Sequence, residues 1–179
     1  MPGGDINHSS TKACAEMKLP AVVAAAFAAT VALPAMAQNV GQIDHARTGA
    51  SCPGCNLFQA DFGGARLEGR DYARARLRQA DLSASVMNHT SFARGDLRDV
   101  NAYGAVFSSA DFAGADLTNA SFVGAYLQGS NFAGANLSGT NLSGAELDHV
   151  RGLTQRQLEG ACGDEATTLP AGLRVRRCN

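Results

Sequence analysis

The chain has 179 residues and a formal net charge of −1, so no global charge draws it to nucleic acid or to an acidic membrane. It is 45% apolar but only 6% aromatic, has no tryptophan, and much of its apolar content is alanine. That composition excludes a conventional globular core, which needs larger side chains.

In chain order, the first readable segment lies at residues 17–37. Met17-Lys18 precedes an apolar run from Leu19 to Leu33, and Ala35-Met36-Ala37 sets a small-x-small site before Gln38. That is the layout of a secretory signal peptide, cleaved after Ala37, with Met17 the expected initiator or, alternatively, residues 1–16 an extended n-region. Residues 1–16 have no recognisable character, and Cys14 lies ahead of the apolar run, out of place for a lipid anchor. The alternative is an uncleaved membrane anchor, but the run is alanine-rich, interrupted by Pro20 and Pro34, and barely long enough to span a bilayer. A periplasmic or secreted bacterial protein of residues 38–179 is therefore expected. It keeps Cys52, Cys55, Cys162 and Cys178, an even count that in an exported chain suggests disulfides.

Residues 38–54 read as a short polar front cap. From Cys55 to His149 one five-residue phrase is written nineteen times without insertion or deletion. Ala110-Asp111-Phe112-Ala113-Gly114 and Ala135-Asn136-Leu137-Ser138-Gly139 are clear copies. Each phrase runs small, polar, large apolar, then two small or polar residues. Eighteen of the nineteen centres, at numbers ending in 2 or 7, are Leu, Phe, Met or Tyr. The exception, Ala102, has its bulk moved to Val100, which conserves interior volume. A period of five fits neither a helix face nor a flat strand, and self-similarity over this length means a solenoid.

The phrase resembles the motif A(D/N)LXX of the pentapeptide-repeat family, and the resemblance covers all of residues 55–149. It implies an all-β fold, a right-handed quadrilateral β-helix with four pentapeptides per coil. The residues offer an independent check on the coil. Centres taken every twenty residues give Leu57, Leu77, Leu97, Leu117 and Leu137 in one column, and Tyr72, Phe92, Phe112 and Phe132 in another. Stacked at strand spacing these make an aliphatic ladder beside an aromatic one, in a rod about 23 Å long. Arg70 departs from the pattern at an inward small site and is expected to lean out at a corner. Glycine at the fifth position, as at Gly64 and Gly114, suits corners of positive φ.

Residues 150–179 read as a C-terminal cap. Thr154 and Gln157 form a capping box, Leu153 and Leu158 a hydrophobic staple, and Gly163 is the expected stop of a short helix. Front and back cysteines lie a rod length apart, far beyond the ~7 Å Cα limit of a bridge. The expected pairs are therefore Cys52–Cys55 and Cys162–Cys178.

Candidate chemistry is sparse. Cys52-Pro53-Gly54-Cys55 is a C-x-x-C, but no helix start or βαβ unit accompanies it, so a structural clip is favoured over thiol–disulfide exchange. A zinc site from His45, Cys52 and Cys55 lacks a fourth ligand. Serines and carboxylates follow the period of five and are explained by the repeat, so neither an enzyme nor a cofactor is expected. Charge is more informative. Residues 55–99 hold seven Arg against six acids, whereas residues 100–149 hold four acids and no base. Arg74, Arg76, Arg78, Arg94 and Arg98 fall along one corner of the first coils, either a salt-bridged solvated face or a strip for an anionic ligand or protein partner. The expected function is a non-enzymatic exported scaffold, structural or protein-binding in the cell envelope, without nucleic-acid binding. The resemblance also implies an alternative, since some cytoplasmic members mimic DNA and act on gyrase. That role needs a long acidic surface, and this chain is near neutral.

Overall fold

The computed structural model describes residues 38–179, which belong to one compact unit. The signal-peptide reading of residues 17–37 and Cys14 lie outside the described residues.

The architecture follows from where each repeat sends its five backbone N–H groups. In the repeat centred on Leu77, Arg76 donates back to Cys55 O at 2.8 Å and Leu77 donates forward to Asp96 O at 2.8 Å. Gln79 donates forward to Arg98 O, and Ala80 closes a turn onto Leu77 O. The fifth N–H, just after the centre, has no backbone carbonyl partner, and where the polar residue of the phrase is Asp or Asn its side chain takes it. Gly63, Ala73, Ser83 and Ala113 donate to the carboxylates of Asp61, Asp71, Asp81 and Asp111 at 2.8–3.0 Å. Asn101, Asn131, Asn136 and Asn141 accept in the same way. The Asp/Asn of the phrase is thus an Asx acceptor that completes the backbone.

Parallel bridges join residues twenty apart, from Asn56–Arg76 through Asn131–Arg151, so a coil is four repeats. Faces one to four are named here for the centres Leu57, Phe62, Leu67 and Tyr72 and their counterparts above them. All nineteen fifth positions have positive φ, nine of them glycine and ten not, among them Arg74 at 58° and Arg94 at 57°. A non-glycine residue there costs on the order of 1 kcal/mol, and the ladder on both sides holds it.

The core is the interior of the coil. The leucine column is 0–1% exposed throughout. In the aromatic column Tyr72–Phe92, Phe92–Phe112 and Phe112–Phe132 stack with centroids 5.9, 5.3 and 5.2 Å apart. Val100 and Ala102 are both buried, and Arg70 is exposed. Four hydroxyls lie fully inside, and each finds a carbonyl: Ser85 to Leu82, Thr90 to Leu67, Ser130 to Phe107 and Thr140 to Leu117.

Both ends differ from the sequence reading. The ladder begins at Ala50, one repeat earlier than Cys55. Cys52 N donates to Asp71 O, Gly54 N donates to Ala73 O, and Cys52 fills a buried centre site. Residues 50–149 therefore make five full coils. Ahead of them stands helix α1, Val40–Arg47, capped by Asn39 accepting from Gln42 N. It closes the open front edge with side chains. Gln42 Oε1 accepts from Asn56 N at 2.6 Å, and Arg47 Nε donates to Asp61 O at 2.9 Å. Tyr72 Oη donates to Ala46 O at 3.3 Å. At the back, α2 spans Gln155–Leu158 with the expected capping box, but it stops at Glu159, not Gly163. The ladder takes the chain over: Cys162 N donates to Thr140 O, and Leu142 N donates to Cys162 O. Gly163 instead lies in β1, Cys162–Gly163, which pairs in parallel with β2, Arg176–Arg177. Gln157 Nε2 caps two carbonyls where face four turns into face one, Phe132 O and Ala135 O.

Burial pushes the Tyr72 phenol up to about 12, against a small opposing pull from Arg70. A raised folded value means stability is fully present below the free phenol's pKa of about 10 and is lost as pH rises through the folded value. Tyr72→Phe is expected to cost about 1 kcal/mol at neutral pH. It should also remove this alkaline loss, which paired urea titrations in neutral and alkaline buffer would read.

Candidate functional site

The structure divides the five strip arginines into two groups. Arg76, Arg78 and Arg98 lie on face one, at polar positions either side of the leucine column. Arg98 grips Asp96 through both Nε and Nη2 at 2.7 Å and also reaches Asp116 at 3.7 Å. Arg78 Nε meets Asp99 at 3.2 Å. Arg76 bridges the rung of Asp96 and is itself engaged. The guanidinium hydrogen bonds from Arg98 hold the Asp96 carboxyl below the usual carboxylate range, and the Asp96 carboxylate raises Arg98. Arg98 is 42% and Asp96 23% exposed, so water still screens the pair and it fixes geometry more than it adds stability.

Arg74 and Arg94 lie on successive coils at the corner between faces four and one. Among the described residues neither has an ion-pair partner. Together they edge a shallow depression of about 650 Å³ floored by Ala73, Ala93 and Ala113. Its opposite edge carries Asp71 and Asp111, each already accepting from a backbone N–H. Two arginines without ion-pair partners, carried on backbones one strand spacing apart, can chelate a carboxylate or a phosphate-like group.

The cysteines form two bridges, Cys52–Cys55 and Cys162–Cys178, with Cα atoms 5.5 and 4.8 Å apart. Their sulfurs are neither thiolates nor metal ligands in this state. Among the described residues no three His, Cys, Asp or Glu side chains converge to hold a metal, and no helix is long and apolar enough to cross a membrane.

A different surface escaped the sequence reading. The outward polar position of face three holds Arg66, Val86, Val106, Tyr126 and Glu146, bridged one above the next. Neither an arginine nor a valine can be an Asx acceptor, so this column abandons the role that Asp and Asn fill on the other faces. Around the adjoining corner stands Tyr103, 62% exposed; with Tyr126 at 46% it supplies two of the three exposed large apolar side chains among the described residues. The signal was present in the sequence, in the outward residues sorted every twenty.

The chain belongs to the pentapeptide-repeat family. The family described as "Pentapeptide repeats" matches in eight copies, over residues 60–99, 75–114, 87–122 and 120–151. Among solved structures, the chain is similar to HetL, involved in heterocyst differentiation regulation in the cyanobacterium Nostoc sp. strain PCC 7120. The identity is 27% over 62% of this chain and 56% of that one, with TM-score 0.38. It is also similar to a pentapeptide repeat protein of the Arabidopsis thaliana thylakoid lumen, at 30% identity over 54% of this chain and 63% of that one, with TM-score 0.30. A third is QnrB1, a plasmid-mediated fluoroquinolone resistance protein, 19% identical over 71% and 87% of the two chains, with TM-score 0.41. The chain spans less than two thirds of the length of the first two. No curated protein sequence matches it.

Proposed function

We propose that the chain is a right-handed quadrilateral β-helix serving as a non-enzymatic scaffold. In this reading it is exported to the cell envelope, where it binds a protein partner through an anionic group seated between Arg74 and Arg94. The observation that carries it is this arginine couple, without ion-pair partners among the described residues and set along the edge of one depression. The leader pattern at residues 17–37 supports export. The bridged Cys52 and Cys55 support a structural clip over redox chemistry, with Cys52 buried as a repeat centre. A DNA-mimic role calls for a continuous acidic face, and the arginines of the first coils interrupt one.

Cross-linking in the envelope of the native host, followed by mass spectrometry, tests the partner. The variant R74A/R94A is expected to lose the cross-links of the parent, while R78A/R98A keeps them. Retention of every cross-link by R74A/R94A would sink the arginine reading. N-terminal sequencing of the exported protein should begin at Gln38.

A further inference from the structure

The face-three column is self-complementary. In coil order it reads basic, apolar, apolar, apolar, acidic: Arg66, Val86, Val106, Tyr126, Glu146. Arg66 and Glu146 are four coils apart, about 19 Å at strand spacing, so they cannot meet within one chain. Among the described residues neither forms an ion pair; Glu146 accepts only from Gln128, at 3.2 Å.

We propose that this edge is a two-fold interface with a second copy of the chain, the two rods antiparallel with the axis passing through Val106. A two-fold contact places the same patch on both partners. With the axis at Val106, Val106 meets its counterpart, Val86 meets the partner's Tyr126, and Arg66 meets the partner's Glu146 at both ends. Tyr103, just before the corner residue Gly104, falls against its own counterpart. Parallel rods would instead set Arg66 on Arg66 and Glu146 on Glu146, and like charges at an interface are costly. The contact gathers both exposed tyrosines, with Val86 and Val106, which are half-buried in the single chain. Apolar side chains grouped at outward positions, rimmed by charge, mark an interaction surface. A second independent mark is the loss of the Asx acceptor in this column, because the repeat itself favours Asp or Asn there. The edge between faces two and three lies diagonally across the coil from the Arg74–Arg94 corner, so a dimer leaves both arginine corners open.

The test is charge-swap complementation on the full chain, carrying Cys14→Ser to remove the one thiol outside the two bridges. Sedimentation equilibrium should show the parent passing from monomer to dimer with concentration, and Val106→Asp or Tyr103→Ser should hold it monomeric. Arg66→Glu alone and Glu146→Arg alone should each weaken dimerisation about tenfold or more. Their equimolar mixture should dimerise as the parent does, since each single variant then meets its opposite charge at both ends. That recovery also shows the variants to be folded. A parent monomeric at its highest soluble concentration would overturn the proposal and leave the edge to another kind of partner. Single swaps that dimerise normally, or a mixture that fails to recover, would equally overturn it.

Discussion

Phe112→Ala is expected to destabilise the solenoid by about 3–5 kcal/mol, the range for truncating a buried ring. Phe112 is fully buried, with Phe92 and Phe132 stacked on either side and Phe107 and Phe122 edge-on at 5.5 and 5.8 Å. The loss has two parts: the transfer of the ring, and a cavity that the neighbouring coils cannot fill without breaking their ladders. Aromatic pairs add about 0.5–1.5 kcal/mol each beyond area. Because each coil contacts mainly its two neighbours, the defect also weakens the coupling between the two halves of the stack. Urea unfolding should broaden into two steps, where the parent shows one. Phe112→Leu keeps most of the volume and should recover much of the loss and the single transition. If Phe112→Ala cost less than about 1 kcal/mol, the aromatic column would be packing incidentally.

The interior was legible in the sequence because each inward site tolerates few side chains. Leu57 to Leu137 and Tyr72 to Phe132 therefore sort into pure columns once the period is known. The outward residues carry weaker signals. Asp61 and Asp81 were readable as a polar slot, but their acceptor role needs the backbone N–H two residues on, which only the coil positions. The five arginines were readable as a strip. Their division was not, because Arg78 finds Asp99, twenty-one residues away, while among the described residues Arg74 and Arg94 have no ion-pair partner. The repeat at Ala50 was hidden because cysteine stands where a large apolar centre is usual and proline follows it. Helix α1 has only eight residues, too few to hold alone in water; Gln42, accepting from Asn56 N, and Arg47, donating to Asp61 O, tie it to the first coil. Gly163 does not end the helix, because the ladder reclaims the chain at Cys162, and a helix-stop signal says nothing about that ladder.

That reclaimed segment is where the second large effect is expected. Reducing Cys162–Cys178, or replacing Cys178 by serine, should cost about 3 kcal/mol, the entropy released to the unfolded chain by opening a loop of this size. The bridge closes 16 residues and holds β2 against β1. Its other ties are hydrogen bonds and one surface ion pair: Gln155 and Arg174 exchange two hydrogen bonds, Arg176 Nε donates to Ala161 O, Cys178 N donates to Gly163 O, and Arg177 pairs with Glu165. Release of β2 would bare β1, the last rung of the stack, as an open edge. Trypsin should then cut after Arg174, Arg176 and Arg177 far faster than in the oxidised protein, with the five coils intact. Acid acts on the same segment through Asp164, whose carboxyl is held below the usual range first by the Gly144 N–H and further by bonds from Thr167 and Ala166. A depressed folded value contributes stability present above the unfolded carboxylate range and lost as pH falls through the folded value. Tail cleavage by an acid-tolerant protease should therefore rise below the ordinary carboxylate pKa of about 4, and Asp164→Asn should shift that onset. The front bridge, Cys52–Cys55, spans only three residues and should cost less to open. If Cys55→Ser proved as damaging as Cys178→Ser, loop entropy would not be what the back bridge supplies.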